Sequence, residues 1–260
     1  MSLVPTKHSI GQIFLELKEV ESTNNYAMAF ANSEEATHGI AVFAHHQSAG
    51  KGQRGKAWKD HSGENIAISF IIDTSALSLQ YQFQIIILSG LATYDLLYDY
   101  YDEMLKIKWP NDIYFGDKKA VGILTESLVK GNKWQWTVAG IGINVNQIDF
   151  EEVIQKKATS LKLLTGKDFD TVALAKQLCE KMETRWQQLN QLGFDYLLSI
   201  YNQLLYKKDE ILSFRKRENG EIFEGKIQSA QKDGKLVIQV KEQLQFFNFG
   251  EIEFIIPSQL

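Results

Sequence analysis

The stretch Gln47–Trp58, Q-S-A-G-K-G-Q-R-G-K-A-W, decides how the rest of this chain is read. Gly50, Gly52 and Gly55 alternate with Lys51, Arg54 and Lys56, and no acidic residue interrupts them. Glycine lets the backbone take positive φ and come close to a ligand. Successive backbone N–H groups in such a loop form a concavity that holds anions, and flanking cations add net charge. A ligand with several negative charges, a phosphate compound first among them, fits such a loop. The sequence is not a Walker A loop, because G-x-x-x-x-G-K-[ST] is missing, and no helical pattern follows it as a Rossmann fingerprint requires. A mobile basic surface turn has the same composition. The loop alone therefore does not name its ligand.

The 260-residue chain is 44% hydrophobic and 12% aromatic, enough for a proper core and unlike a disordered chain. A net charge of −4 gives no bulk attraction to nucleic acid, so the basic loop is a local feature on a mildly acidic protein. Cys179 is the single cysteine, which excludes an intramolecular disulfide and a cysteine zinc site. It sits in the helical run A-L-A-K-Q-L-C-E-K-M and reads as a buried, inert thiol. The first ten residues, M-S-L-V-P-T-K-H-S-I, lack the apolar core of a signal peptide, and no apolar run is long enough to span a bilayer. The expectation is a soluble cytoplasmic protein without a membrane partner.

Working outward from the loop, residues 39–46 (G-I-A-V-F-A-H-H) read as a buried strand that delivers the chain into it. Residues 12–20 alternate like a half-buried strand, and Ser22 or Thr23 then offers an N-cap for a helix. Residues 65–73 are another strand, and 80–101 carry a long helical pattern. A strand broken at Pro110 follows, then a turn at Gly116-Asp117 into strand 118–129, and a further strand over 134–146. Helical patterns occupy about 150–157, 171–190 and 194–206. From Glu210 short alternating runs with turns at Asn219-Gly220, Asp233-Gly234 and Phe249-Gly250 suggest a small β-barrel. The class is α+β, with one domain over 1–206 and a second over 207–260.

Four segments could carry chemistry. The loop is first. In K-W-P-N-D (108–112), Pro110 fixes the chain direction and Asn111 and Asp112 supply an amide and a carboxylate, though the same pair is good turn chemistry. Lys119 adjoins a hairpin turn, where a lysine is usually a solvated charge. In G-I-G-I-N (140–144), glycines inside an apolar strand mean a bulge or a close backbone approach, and Asn144 either bonds a ligand or closes a turn. Ser22-Thr23-Asn24 at a helix start serves equally as a cap. His45 and His46 alternate faces and have no third histidine in ligand spacing, so no transition-metal site is expected and no metal ligand is assigned.

In order along the chain, E-S-T-N (21–24), the loop 47–58, K-W-P-N-D-I-Y (108–114), K-K-A-V-G-I-L-T-E (118–126) and G-I-G-I-N (140–144) resemble the biotin protein ligases. The resemblance runs from about residue 10 to the end. It implies a catalytic domain with a mixed β-sheet flanked by helices, like the class II aminoacyl-tRNA synthetases, followed by an SH3-like barrel. It also implies the chemistry: biotin and ATP give biotinyl-5′-AMP and pyrophosphate, with Mg²⁺ bridging the phosphates. Biotin then passes to a lysine of a biotin carboxyl carrier domain of acetyl-CoA carboxylase or another biotin-dependent carboxylase.

Carried over from that family, Ser22, Thr23, Asn24 and Gln47 hold the biotin head group, with Lys51, Gly52, Gln53 and Lys119 also on biotin. Gly50, Lys51, Arg54, Lys56, Trp58, Asn111 and Asn144 fall on the ATP side, and Lys119, Asp112 and Arg54 are the catalytic candidates. Many relatives read G-R-G-R-x-G-R through the loop where this chain has Lys51, Gln53 and Lys56. Lysine lacks arginine's bidentate fork, and Gln53 removes one charge. Bifunctional relatives carry an N-terminal helix-turn-helix domain, whereas this chain begins almost at the first catalytic strand, so the expectation is a ligase without a DNA partner, a monomer or a homodimer. A lipoyl- or octanoyl-protein ligase of the same fold, or a non-catalytic biotin or nucleotide binder, are the competing readings.

Overall fold

A computed structural model describes residues 8–59 and 61–259. The signal-peptide reading of the N-terminus falls, over residues 1–7, outside the described residues.

Seven strands make the larger sheet: β1 (Phe14–Leu17), β2 (Ala41–Ala44), β3 (Asn65–Asp73), β4 (Leu105–Lys108), β5 (Asp112–Phe115), β6 (Lys118–Lys130) and β7 (Lys133–Asn144). Their order is β1-β2-β3-β7-β6-β5-β4. β1 and β2 pair in parallel and the other neighbours are antiparallel, so the sheet is mixed. The strand anticipated over 12–20 is shorter, because beyond Leu17 only Val20 pairs again, with Gln47.

β3 is buried along almost its whole length because both faces of the sheet are covered. Helix α1 (Thr23–Ala31) lays Ala27 and Ala31 on Val42, Ile71 and Val138. The opposite face, with Phe43, Ile66, Ile68, Phe70 and Ile72, meets α2 (Phe83–Tyr98) and α5 (Thr171–Leu192). Ile71 thus packs on one side of β3 and its neighbours Phe70 and Ile72 on the other, the period of two that a strand imposes. α2 is buried nearly all round, from Phe83 to Leu97, so its sequence reads as a continuous apolar run. Ser22 is the N-cap of α1, and Asp170 caps α5 by accepting from the N–H groups of Val172 and Ala173 at 2.9 and 3.0 Å. Cys179 lies buried on α5, and burial pushes its thiol up to about 12. The helical pattern of 150–157 shrinks to one turn, α3 (Glu152–Gln155), and a second short piece follows, α4 (Leu161–Thr165). Among the described residues no helix is long and apolar enough to cross a membrane.

After α6 (Phe194–Gln203) come β8 (Ile211–Lys216), β9 (Ile222–Ala230), β10 (Leu236–Val240), β11 (Gln243–Phe247) and β12 (Ile252–Ile255). They form an antiparallel sheet in the order β11-β10-β9-β8-β12, SH3-like in its strand run. Among the described residues its hydrogen-bonded ladder is open, ending at β11 and β12, rather than closed as a barrel. The two sheets meet closely. Trp109 Nε1 donates to Gly234 O at 2.9 Å, Phe249 packs edge-on against both Trp109 and Phe83, and Asn202 exchanges two hydrogen bonds with Ala230.

Candidate active site

One cleft of about 740 Å³ runs across the middle of the larger sheet and ends against the smaller one. Its floor begins at the N-terminus of α1. Thr23 donates from both N–H and Oγ1 to Gln47 Oε1 at 2.8 and 3.1 Å. Ser69 Oγ lies 2.8 Å from Thr23 Oγ1 and 2.6 Å from Asn24 Oδ1. Ser22, Thr23, Asn24, Gln47 and Ser69 are all buried. Buried polar groups demand partners; Thr23, Asn24, Gln47 and Ser69 pair among themselves, Asn24 Nδ2 donates to Glu126 Oε2 at 2.9 Å and Leu124 O at 3.4 Å, and Ser22, Thr23, Asn24 and Gln47 line the cleft. Gly140 permits it, since a Cβ there would stand 2.0 Å from Asn24 Oδ1. That is the close backbone approach the strand glycines foretold.

The middle of the cleft holds a charged pair. Lys119 Nζ lies 2.6 Å from Asp112 Oδ1, with the lysine side chain 32% and the aspartate 18% exposed. Register explains how two residues on neighbouring strands meet. The β5–β6 pairing slips between Ile113 and Tyr114, so that Lys119 rather than Ala120 stands opposite Tyr114, on the face that Asp112 shares. The hairpin lysine is thus a partnered group and not a solvated one. Asn111 and Asn144 line the cleft but are buried, and their amides donate to Ile123 O at 2.6 Å and Thr159 O at 3.0 Å. Both brace the backbone of the site.

The glycine loop folds over this middle. Gly52 N–H bonds Lys56 O at 2.7 Å, Trp58 N–H bonds Gly50 O at 2.8 Å, and Arg54 and Gly55 at the tip both have left-handed φ. The Trp58 ring lies on paired glycines, Gly122 of β6 and Gly142 of β7, where a Cβ would meet the ring at 3.0 and 2.4 Å. Lys119 Nζ sits 6.0 Å from its centroid. Lys51, Gly52, Gln53, Arg54, Lys56 and Trp58 line the cleft; Gly50 does not, and serves as the base of the loop. The Arg54 guanidinium donates to Phe249 O and, at 3.3 Å, to Gly250 O, so it ties the loop to the turn between β11 and β12.

Sequence reading missed several contributors. Lys108, Lys157 and Arg217 also line the cleft, and with the loop cations they outnumber Asp112, Glu151 and Glu253 there. Lys108 is bedded over the rings of Tyr114 and Phe254 at 5.2 and 4.5 Å, and desolvation lowers its pKa. Ser69 did leave a signal, as the lone polar residue within the buried run I-A-I-S-F-I-I (66–72).

The sequence pattern of the Biotin/lipoate A/B protein ligase family matches residues 17–144. A biotin–[acetyl-CoA-carboxylase] ligase of Paracoccus denitrificans is 32% identical over 68% of this chain and 75% of its own length. The chain belongs to the biotin protein ligase family. The bifunctional ligase/repressor BirA of Bacillus spizizenii is 29% identical over 94% of this chain and 74% of its own. In three dimensions the ligase superposes on a biotin protein ligase from Aquifex aeolicus in complex with biotin and ATP, with a TM-score of 0.78, 25% identity, and coverage of 94% and 99% of the two chains.

Proposed function

We propose that this ligase activates biotin with ATP and transfers it to a lysine of a biotin carboxyl carrier domain, in the one cleft described above. The observation that carries the reading is the order of groups along that cleft: a neutral polar floor, an ammonium–carboxylate pair, then a cationic glycine loop. Biotin's ureido ring needs hydrogen-bond partners at one end, and its carboxylate needs a cation at the other. Ser22, Thr23, Asn24 and Gln47 suit the first, and Lys119 the second.

In the first half-reaction a carboxylate oxygen attacks the α-phosphorus, and the bond to the β-phosphate bridging oxygen breaks to release pyrophosphate. Two anions must meet, so the barrier falls if fixed positive charge faces the oxygens where charge accumulates. Lys119 is placed for that, with Lys51, Lys56 and the loop N–H groups on the phosphate side. Asp112 holds the Lys119 ammonium in place. Trp58, backed by glycines, offers its outer face to the adenine. Gln53 and Gly52 belong to the lid above.

In the second half-reaction the acceptor amine attacks the acyl carbon and AMP departs. The amine sheds a proton as the new amide forms, and Asp112 is the carboxylate beside the reacting centre to receive it. Arg54 acts at a remove, by holding the loop to the C-terminal turn. Magnesium fits as an ion carried by the nucleotide: among the described residues no three acidic, histidine or cysteine side chains cluster, while Asp112, Glu151 and Glu253 stand singly around the cleft. When bound it neutralises phosphate charge. We further propose a cytoplasmic enzyme acting on a biotin-dependent carboxylase, with the chain divided near residue 207 and the C-terminal sheet closing the nucleotide end.

Lipoate is the weaker reading. Its dithiolane ring offers no hydrogen bonds, so the buried floor would be left unpaired, a mismatch that polar sites reject by large factors. Biotin-dependent exchange of pyrophosphate into ATP is the test. Exchange with lipoate but not biotin would overturn the assignment, and binding of biotin without exchange would make the protein a binder and not an enzyme.

A further inference from the structure

Glu126, at the end of the β6 run K-K-A-V-G-I-L-T-E, does not line the cleft, yet it touches both its floor and its lid. Its Oε2 accepts from Asn24 Nδ2 at 2.9 Å, and its Oε1 lies 3.5 Å from Lys51 Nζ in the glycine loop. A carboxylate only accepts, so it dictates which end of the Asn24 amide faces it. Oδ1 is then turned to Ser69 Oγ at 2.6 Å, in space that the missing side chain of Gly140 leaves open, and Nδ2 makes a second, longer bond to Leu124 O at 3.4 Å. The inward bond joins a charged acceptor to a buried donor, which makes it one of the stronger kinds. The outward pair is different. Lys51 and Glu126 side chains are 42% and 33% exposed, so their attraction is screened and weak.

We propose that Glu126 is a positioning residue that couples the biotin head-group floor to closure of the lid. It locks Asn24 in the orientation the floor requires, and the same carboxylate gives Lys51 a resting partner, so the loop is drawn over a correctly set floor. The weakness of the outer pair suits a lid that must open every turnover. This proposal rests on the biotin-ligase reading.

Glu126→Gln and Glu126→Ala separate the two roles. The amide keeps an acceptor for Asn24 and discards the charge that holds Lys51; alanine discards both. The loop carries trypsin sites at Lys51, Arg54 and Lys56. Loop cleavage is expected to rise about two- to fivefold in both variants, as suits an exposed ion pair. Raising salt should speed cleavage of the wild-type loop while leaving both variants insensitive, a signature that a merely structural role would not give. The biotin KM should rise about tenfold or more in Glu126→Ala, with ATP KM within about twofold, and much less in Glu126→Gln, because only alanine leaves the Asn24 amide with a single long bond, to Leu124 O at 3.4 Å. Wild-type cleavage rates and biotin KM in both variants would overturn the proposal. So would an ATP KM that rises as far as the biotin KM. If Glu126→Ala melts early, the near-isosteric Glu126→Gln still decides through loop cleavage. Absence of biotin-dependent exchange in the wild type would defeat the ligase reading instead, while loop cleavage and its salt dependence would still judge Glu126.

Discussion

Gly142→Ala puts the Trp58 platform to a direct test. Gly142 sits in regular strand, so alanine meets no backbone obstacle, only the indole. The new Cβ would stand 2.4 Å from Cε2, 2.6 Å from Cζ2 and 2.9 Å from Cδ2 of Trp58. Carbon atoms settle at about 3.5–4.0 Å, so the ring must withdraw by roughly 1 Å. Overpacking of this kind costs about 1–3 kcal/mol. Trp58 lies on a loop whose neighbours Ala57 and Lys59 are exposed, so the ring yields before the sheet does. Global stability in urea should then change little, while the penalty falls on the nucleotide complex. At about 1.4 kcal/mol per tenfold, biotin-dependent pyrophosphate exchange should lose roughly 5- to 150-fold, with the ATP KM rising and the biotin KM nearly constant. Gly122→Ala brings its Cβ to 3.0 Å of the ring but also to 3.2 Å of Lys119 Nζ, so part of its loss should persist when Trp58 is removed. Repeating Gly142→Ala in a Trp58→Ala background removes the clash, so the second change should then add almost nothing. A full penalty in that background, or wild-type ATP kinetics in the single variant, would refute the platform.

Three further outcomes follow from the geometry. Lys119→Met should keep the fold but lose adenylation by about 10²–10³-fold, the usual cost of removing a group aimed at developing charge, as measured by pyrophosphate release; wild-type rates would dismiss its role. Gly250 has φ +77° and would place a Cβ 1.2 Å from Arg54 Nη2, so Gly250→Ala must expel the guanidinium; faster tryptic cleavage in the loop and slower exchange are expected, matched by Arg54→Ala. His38 is buried beside Trp186 with Nδ1 accepting from Asp73 N–H, and desolvation, partly offset by Asp73 and Glu183, lowers its pKa from 6.5 to about 4. The unfolded chain therefore binds the proton first, so stability is intact above about pH 6.5 and is lost as pH falls toward 4. The loss between pH 7 and 5 is about 2 kcal/mol, an upper figure visible in urea melts, and His38→Gln should flatten that slope.

How far the chain could be read differs from element to element. Long stretches such as 80–101 and 118–129 gave their elements, because α2 is buried nearly all round and reads as a long apolar run, while β6 is set off by turns at Gly116 and Gly131. Residues 150–157 misled, since a few helix-favouring residues without a cap or a buried face sustain only one turn. Function was legible as an order of motifs, yet the jobs within them were not. Asn111 and Asn144 carry the same letters whether an amide meets a ligand or a backbone carbonyl, and here both amides meet carbonyls. Arg54 reads as a phosphate cation from its loop, whereas its partners Phe249 and Gly250 lie almost two hundred residues away, where no local pattern reaches.

The cleft joins two materials with different mechanical character, and this governs how its variants should fail. Thr23, Asn24, Ser69 and Gln47 are buried among strands and a helix, so they are held by the same packing that holds the fold. Lys51, Arg54 and Lys56 are exposed, and the tip of their loop is held by Glu126 on one side and the Phe249–Gly250 turn on the other, with the Trp58 ring on Gly122 and Gly142 and the Lys59–Glu151 pair at its base. Local stability follows buried contact, so the loop belongs to the low end of the protein's range and the floor to the high end. A substitution in the floor therefore lowers global stability and biotin affinity together. A substitution in the lid leaves the fold intact and appears in kinetics and proteolysis alone. Rigidity at the head group sets which molecule enters, and compliance over the phosphates lets pyrophosphate leave and an acceptor lysine arrive.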